Sequence, residues 1–171
     1  MCPPCPSPPP SSFSPVGELL WARPIAGKPP FIRRRKPRGR KAQGVKYERD
    51  AHMHFREQFG AEYIYSQWFQ FQEPDNKVRW CELDGLLLRP KLGLVTILEM
   101  KYQHTSDAWW QLNYLYRPIL RHLLPSGLWD ISVCEVVKWY DPATAFPEAV
   151  RRVSDVRDVQ PEEFGVHIWK P

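Results

Sequence analysis

An α/β domain is what the 171-residue sequence predicts, and three observations carry that prediction. Residues 45–59 contain no Gly or Pro and place Ala51, Phe55 and Phe59 at helical spacing. Three stretches rich in apolar and aromatic residues, 63–71, 78–88 and 92–102, follow in succession with turn residues between them. A second helical stretch, 106–122, then leads into an apolar run at 131–139. The order is helix, three strands, helix, strand, about one domain's worth of chain.

Each element has its own signals. Gly60 closes the first helix. Pro74-Asp75-Asn76-Lys77 turns the first strand into the second, and Arg89-Pro90-Lys91 makes a tight turn before the third, so the three read as an antiparallel meander. Ser106 and Asp107 suit the N-cap of the second helix, Pro118 predicts a kink in it, and Pro125-Ser126-Gly127 a stop. Beyond 139 the expectation is a short helix over 147–153 and an extended stretch at 166–169. There is no internal repeat.

Charge divides the chain. Residues 1–43 hold 11 of the 19 prolines and 9 of the 24 Lys and Arg against one acid, Glu18, whereas the rest holds 15 basic and 18 acidic side chains. The net charge of +5 therefore belongs to a basic arm, 1–43, on a slightly acidic domain, 44–171. Residues 3–15, almost all Pro, Ser and Cys, are too polar to fold and are expected to be disordered. The apolar island 16–25, with Leu19, Leu20 and Trp21, should dock on the domain or on a partner protein. Arg33, Arg34, Arg35, Lys36, Arg38, Arg40 and Lys41 put seven cations into nine positions and read as a flexible arm for phosphates, a nuclear address or a solubilising tail.

Charged residues at 25% and hydrophobic ones at 43% exclude wholesale disorder and a membrane protein. No window reaches the roughly 18 apolar residues of a membrane span, and no signal-peptide core opens the chain, so an intracellular, cytoplasmic protein is expected. Cys2 and Cys5 would make half a zinc site, but no second Cys or His pair lies at finger spacing. With Cys81 and Cys134 they read as two thiols at the tip and two in the core.

The acids fall at telling places. On a helical wheel with Glu48 at zero, Phe55 lies at about −20°, Phe59 at about +20° and Ala51 at about −60°. Glu48 thus shares the core-facing stripe, where a carboxylate needs a cation or donors. Asp84 precedes Gly85 and three leucines in the second strand, and Glu99-Met100-Lys101 ends the apolar run of the third. Alternation turns Glu99 and Lys101 to one face, so neighbouring strands present two carboxylates and an ammonium together. Such a group suits Mg²⁺, with Asp84 and Glu99 as ligands, Glu48 reaching the ion directly or through water, and Lys101 orienting an attacking water on a phosphodiester. Two unrelated salt bridges at strand ends are the bland alternative.

In this ordered set the chain resembles the PD-(D/E)xK nuclease superfamily, which has an acid on its first helix, an Asp in its second strand and (D/E)xK in its third. Glu48, Asp84, Glu99 and Lys101 match in order. Gly44-x-x-x-Glu48-Arg49 is also similar to the start of the first helix in Holliday junction resolvase-like and phage or repair nucleases. Over residues 44–139 the resemblance implies an αβββαβ restriction-endonuclease-like core, a mixed four-stranded sheet flanked by helices. It further implies a DNA partner, Mg²⁺ with Mn²⁺ able to substitute, and a catalytic role for Gln111 on the second helix. Leu83 stands where the superfamily's naming proline would be, Leu115 stands where relatives with a Q-x-x-x-Y helix have Tyr, and the cysteines do not follow the iron–sulfur plan. A homodimer is expected if both strands are cut.

His104, just past Lys101, is a candidate phosphate contact, whereas His52 and His54 point in different directions and are expected on the surface. Trp109 and Trp110 either stack on exposed bases or pack. The competing reading is an inactive nuclease fold that binds nucleic acid or a protein partner through its arm.

Overall fold

The computed structural model describes residues 15–33, 36–144, 146 and 149–171. The expectations for the Pro-rich tip, Cys2, Cys5, Arg34 and Arg35 lie outside these residues. Among the described residues no helix is long and apolar enough to cross a membrane.

The chain folds as an α/β unit with one seven-stranded mixed sheet: β1 (Trp21–Ile25), β2 (Tyr63–Gln72), β3 (Val78–Arg89), β4 (Leu94–Gln103), β5 (Asp130–Trp139), β6 (Val150–Val153) and β7 (Phe164–Ile168). Their spatial order is β1-β2-β3-β4-β5-β7-β6, antiparallel from β1 to β4 and parallel from β4 onward. Four strands were expected in the core and an extended stretch at 166–169 beyond it; of the three additional strands, β1 and β6 come from segments not read as strands, and β7 covers most of that stretch. The apolar island supplies β1, which pairs with β2. The segment read as a helix over 147–153 supplies β6 where it is described, and the C-terminal extended stretch supplies β7. Parallel pairing of β6 to β7 satisfies backbone groups that a bare sheet edge would leave open.

Helix α1 (Arg40–Phe59) starts five residues before the expected 45, so the boundary placed at residue 44 falls inside it. Gly44 costs a helix only about 1 kcal/mol relative to Ala, too little to stop it, and Gly39, at φ 58°, marks the start instead. Ala51 and Phe55 of α1 pack with Tyr63, Leu87, Leu98 and Val136 on one sheet face. The opposite face receives α2 (Ser106–Gln111), a π-helical turn at Leu112–Tyr116, and α3 (Arg117–Leu123). From these, Trp109, Leu112, Ile119 and Leu120 pack with Phe69, Leu83 and Val95 and with Ile131 and Val133 of β5. β4 and β5 are covered on both sides, which is why their sequences are nearly continuous apolar runs.

Thr105, not Ser106 or Asp107, occupies the N-cap position of α2, without a side-chain cap bond. The kink expected at Pro118 takes the form of the π-helical turn before it. Proline has no N–H to give the carbonyl four residues back, and that carbonyl, on Tyr114, instead accepts the Val16 N–H at 2.8 Å. Val16 is buried in the core beside it. The island therefore docks on the domain. Gly93, at φ 61°, closes the β3–β4 turn so tightly that a Cβ there would meet the Leu128 carbonyl oxygen at 2.6 Å.

Candidate active site

Asp84 sits where β3 stops pairing with β4. The ladder runs from Arg89↔Leu94 to Gly85↔Leu98, so Asp84 and Glu99 are the first residues past its end. There the Asp84 Oδ2 atom, rather than a backbone carbonyl, accepts the Met100 N–H at 2.8 Å. Between β2 and β3 the same point is a reversal of faces. Tyr63 and Leu87 face α1, while Phe69, Phe71, Cys81 and Leu83, of the same parity, pack on the other side. The rung between the two regimes, Ser66 opposite Asp84, carries no ladder pair, and Ser66 has φ 52°. A non-glycine residue there costs on the order of 1 kcal/mol or more, held by the strands on either side.

Glu99 and Lys101 share the parity of Val95 and Ile97 and so face α2. Lys101 Nζ lies 2.7 Å from Glu99 Oε1 and donates to Gln111 Oε1 at 2.8 Å. Glu99, Lys101 and Gln111 thus form one bonded chain, while Asp84 bonds the Met100 amide. Glu99 is 3% exposed, and its Oε2 is buried without a hydrogen-bond partner. Burial pulls the Lys101 ammonium down, but Glu99, Asp84 and Glu135 outweigh it and hold the group above its usual range. Burial and the nearby carboxylates of Glu99 and Glu48 push the Asp84 carboxyl well above the usual carboxylate range, against Lys101 and the Met100 N–H.

Glu48 reaches this region from the α1 layer, at the edge of the buried stripe rather than its centre, and its side chain is 34% exposed. With Asp84 and Glu82 it lines a cleft of about 750 Å³ that is also lined by Lys36, Arg38 and Lys41. Arg33 and Arg40 are exposed but do not line it. The first turn of α1 contains Arg40 and Lys41 and no acid, the reverse of what the helix dipole favours by roughly 0.3–1 kcal/mol per charge. An anion bound there would offset that cost.

Several expectations are corrected. His104 is 4% exposed; its Nδ1 bonds Glu135 Oε2 and its ring stacks on Phe146, so the buried carboxylate has taken the position intended for a phosphate. His52 is buried, with Nδ1 at 2.7 Å from the Tyr63 hydroxyl and Nε2 at 3.5 Å from Glu48 Oε1. Trp109 and Trp110 are core residues facing each other edge to face. Cys81 and Cys134 are free and buried, as read.

Sequence reasoning missed Glu135 altogether. It is fully buried, stands beside Glu99 in the parallel register and accepts the Thr105 N–H, and burial raises its carboxyl above the usual range despite His104. The available signal was an acid inside the apolar run 131–137. For His52 the signal was its place four residues after Glu48.

Among the described residues no three His, Cys, Asp or Glu side chains gather closely enough to enclose a metal ion by themselves. Asp84 and Glu99 nevertheless fit Mg²⁺, which commonly takes one or two carboxylates and completes its shell with water and substrate phosphate. With Lys101 already on Glu99 Oε1, the buried and unpartnered Glu99 Oε2 is the atom left for such an ion, next to an Asp84 carboxyl that burial and like charges push up. No protein-family model, curated protein or solved structure matches the chain.

Proposed function

We propose that the protein is a metal-dependent deoxyribonuclease that hydrolyses phosphodiester bonds with water, built on a restriction-endonuclease-like core of α1, β2 to β5 and the continuous helical run of α2 and α3. The observation that carries the reading is the bonded chain Glu99–Lys101–Gln111 just past the end of the β3–β4 ladder, as is Asp84, which itself lines a cleft with Glu48 and three cations.

Asp84 and Glu99 would hold Mg²⁺ or Mn²⁺, with Glu48 contributing directly or through water. Bound there, the ion would supply a nucleophile from water at neutral pH and offset charge growing on the phosphate. Lys101 stays protonated and, with two of its three N–H donors on Glu99 and Gln111, directs the third at the incoming water. Gln111 accepts one of those N–H groups and fixes the rotamer of a side chain that otherwise loses about 2 kcal/mol of rotamer entropy on ordering. Lys36, Arg38 and Lys41 hold the flanking phosphates.

The test is incubation of the purified chain with linear, nicked, flapped and four-way-junction DNA in Mg²⁺, Mn²⁺ or EDTA. Cutting is expected with metal alone, and Asp84→Asn and Glu99→Gln should abolish it while the proteins still fold and bind. Full activity in both variants, or no cutting of any form, removes the reading.

A further inference from the structure

Beside the carboxylate cleft, and sharing Val45 and Glu48 with it, a second pocket of about 290 Å³ opens between α1 and β2. That is near the small end of ligand pockets, about 300–1,000 Å³. Met53 and Tyr65 supply an apolar and an aromatic wall although both are exposed, Met53 by 58%. Arg49 and Arg56 flank the opening, and Arg56 places its guanidinium 5.7 Å from the centre of the Tyr65 ring while donating to its hydroxyl at 3.2 Å. His52 also lines the pocket. Its side chain is nine-tenths buried, Tyr63 occupies Nδ1, and Nε2 makes no hydrogen bond, with Glu48 Oε1 at 3.5 Å. The strained Ser66, opposite Asp84, completes the lining.

An exposed aromatic ring, a buried imidazole nitrogen without a hydrogen-bond partner and two cations at the rim match the needs of one nucleotide: a base to stack, an edge to bond and phosphates on both sides. Continuity decides the occupant. Glu48 borders both spaces, so a strand whose phosphate lies at Asp84 and Glu99 brings its adjacent base to this opening. We propose that the pocket receives one unstacked nucleobase next to the scissile phosphate, held against Tyr65 and Met53 with its edge toward His52 Nε2. This rests on the nuclease reading and narrows its substrate to DNA with an unpaired nucleotide beside the cut, such as a flap or branch. A fully paired base must first leave its stack to enter.

The test measures binding of the full chain to a flapped DNA in EDTA while one abasic residue is walked along the unpaired arm. At one position affinity should fall about tenfold, the usual order for loss of one base–aromatic stack. Met53→Ala and Tyr65→Ala, both at exposed positions, should each weaken binding to intact DNA and add nothing on the DNA that is abasic at that position. Equal binding at every abasic position, or losses that simply add, overturns the pocket while leaving the nuclease reading in place. If Met53→Ala instead turns a dimer into a monomer by sedimentation, the pocket belongs to a second copy and the proposal falls. Binding with the expected pattern but no metal-dependent cutting upholds the pocket and removes the nuclease. No DNA binding at all removes both.

Discussion

Asp84 shows how one side chain ends a ladder, bonds a backbone amide and sits among like charges. Its raised carboxyl pKa has a definite consequence for stability. Between the unfolded value of about 3.9 and the higher native one, the native state binds more protons, so this contribution to stability is full below the unfolded pKa and is lost as pH rises. Asp84→Asn removes the titration and keeps an amide oxygen for the Met100 N–H. In EDTA the variant should melt above the parent at pH 8, by about 2–4 °C for each kcal/mol relieved, with the gap closing toward pH 5. Mg²⁺ should raise the melting temperature of the parent and not of the variant. A gap that is constant with pH, or an equal response to Mg²⁺, would show that Asp84 is neither the strained carboxyl nor the ligand. The ion pairs whose carboxylates are lowered, Asp75 with Arg79 and Asp155 with Arg157, lose stability in the opposite direction, as pH falls, and cancel in the comparison.

At the scale of elements, the junction between α2 and α3 ties the N-terminal segment to the site. Pro118 frees the Tyr114 carbonyl, Val16 takes it, and β1 then lies along β2. From the same turn Tyr116 donates its hydroxyl to the Glu82 carbonyl at 2.9 Å, where β3 has left β4. Pro118→Ala restores an amide that competes for the Tyr114 carbonyl. The Val16 amide should then exchange with solvent about tenfold faster, with little change in global stability, as hydrogen exchange would report. Unchanged protection at Val16 would mean that β1 alone anchors the segment.

Across the whole molecule, Lys36, Arg38 and Lys41 line the same cleft as Glu48, Glu82 and Asp84, an arrangement that attracts a polyanion to carboxylates that would otherwise repel it. Replacing Lys36, Arg38 and Lys41 together by Ala should leave the fold intact, since all three are exposed. Apparent KM for DNA should rise and the rate at saturation change little. Each lost phosphate contact flattens the slope of log affinity against log salt by about 0.9 for duplex DNA, so a change of roughly 2–3 is expected in a salt titration. An unchanged slope would assign the cations to something other than phosphate.

What the sequence determined by itself is whatever a window of ten to twenty residues can encode: the 3.6-residue stripe of Ala51, Phe55 and Phe59, the meander with its Pro-containing turns, and the two-residue step that sets Glu99 and Lys101 on one face. Glu48, Asp84, Glu99 and Lys101 stood out by their places on these elements, Gln111 only through the resemblance, and the structure brings Lys101 onto both Glu99 and Gln111. Tertiary structure alone decided the rest. Trp21–Ile25 and Val150–Val153 carry little strand pattern and become strands because β2 and β7 offer unsatisfied edges. Tyr63 and Phe69 have the same parity yet opposite faces because the chain reverses at Ser66, which no periodicity announces. His52 reads as a surface group and His104 as a phosphate contact until Tyr63 and Glu135, supplied by other elements, arrive to bond them. Local periodicity is written in the backbone's own geometry, whereas a partner for an edge, an imidazole or a carboxylate exists only once the remote segment that supplies it has packed.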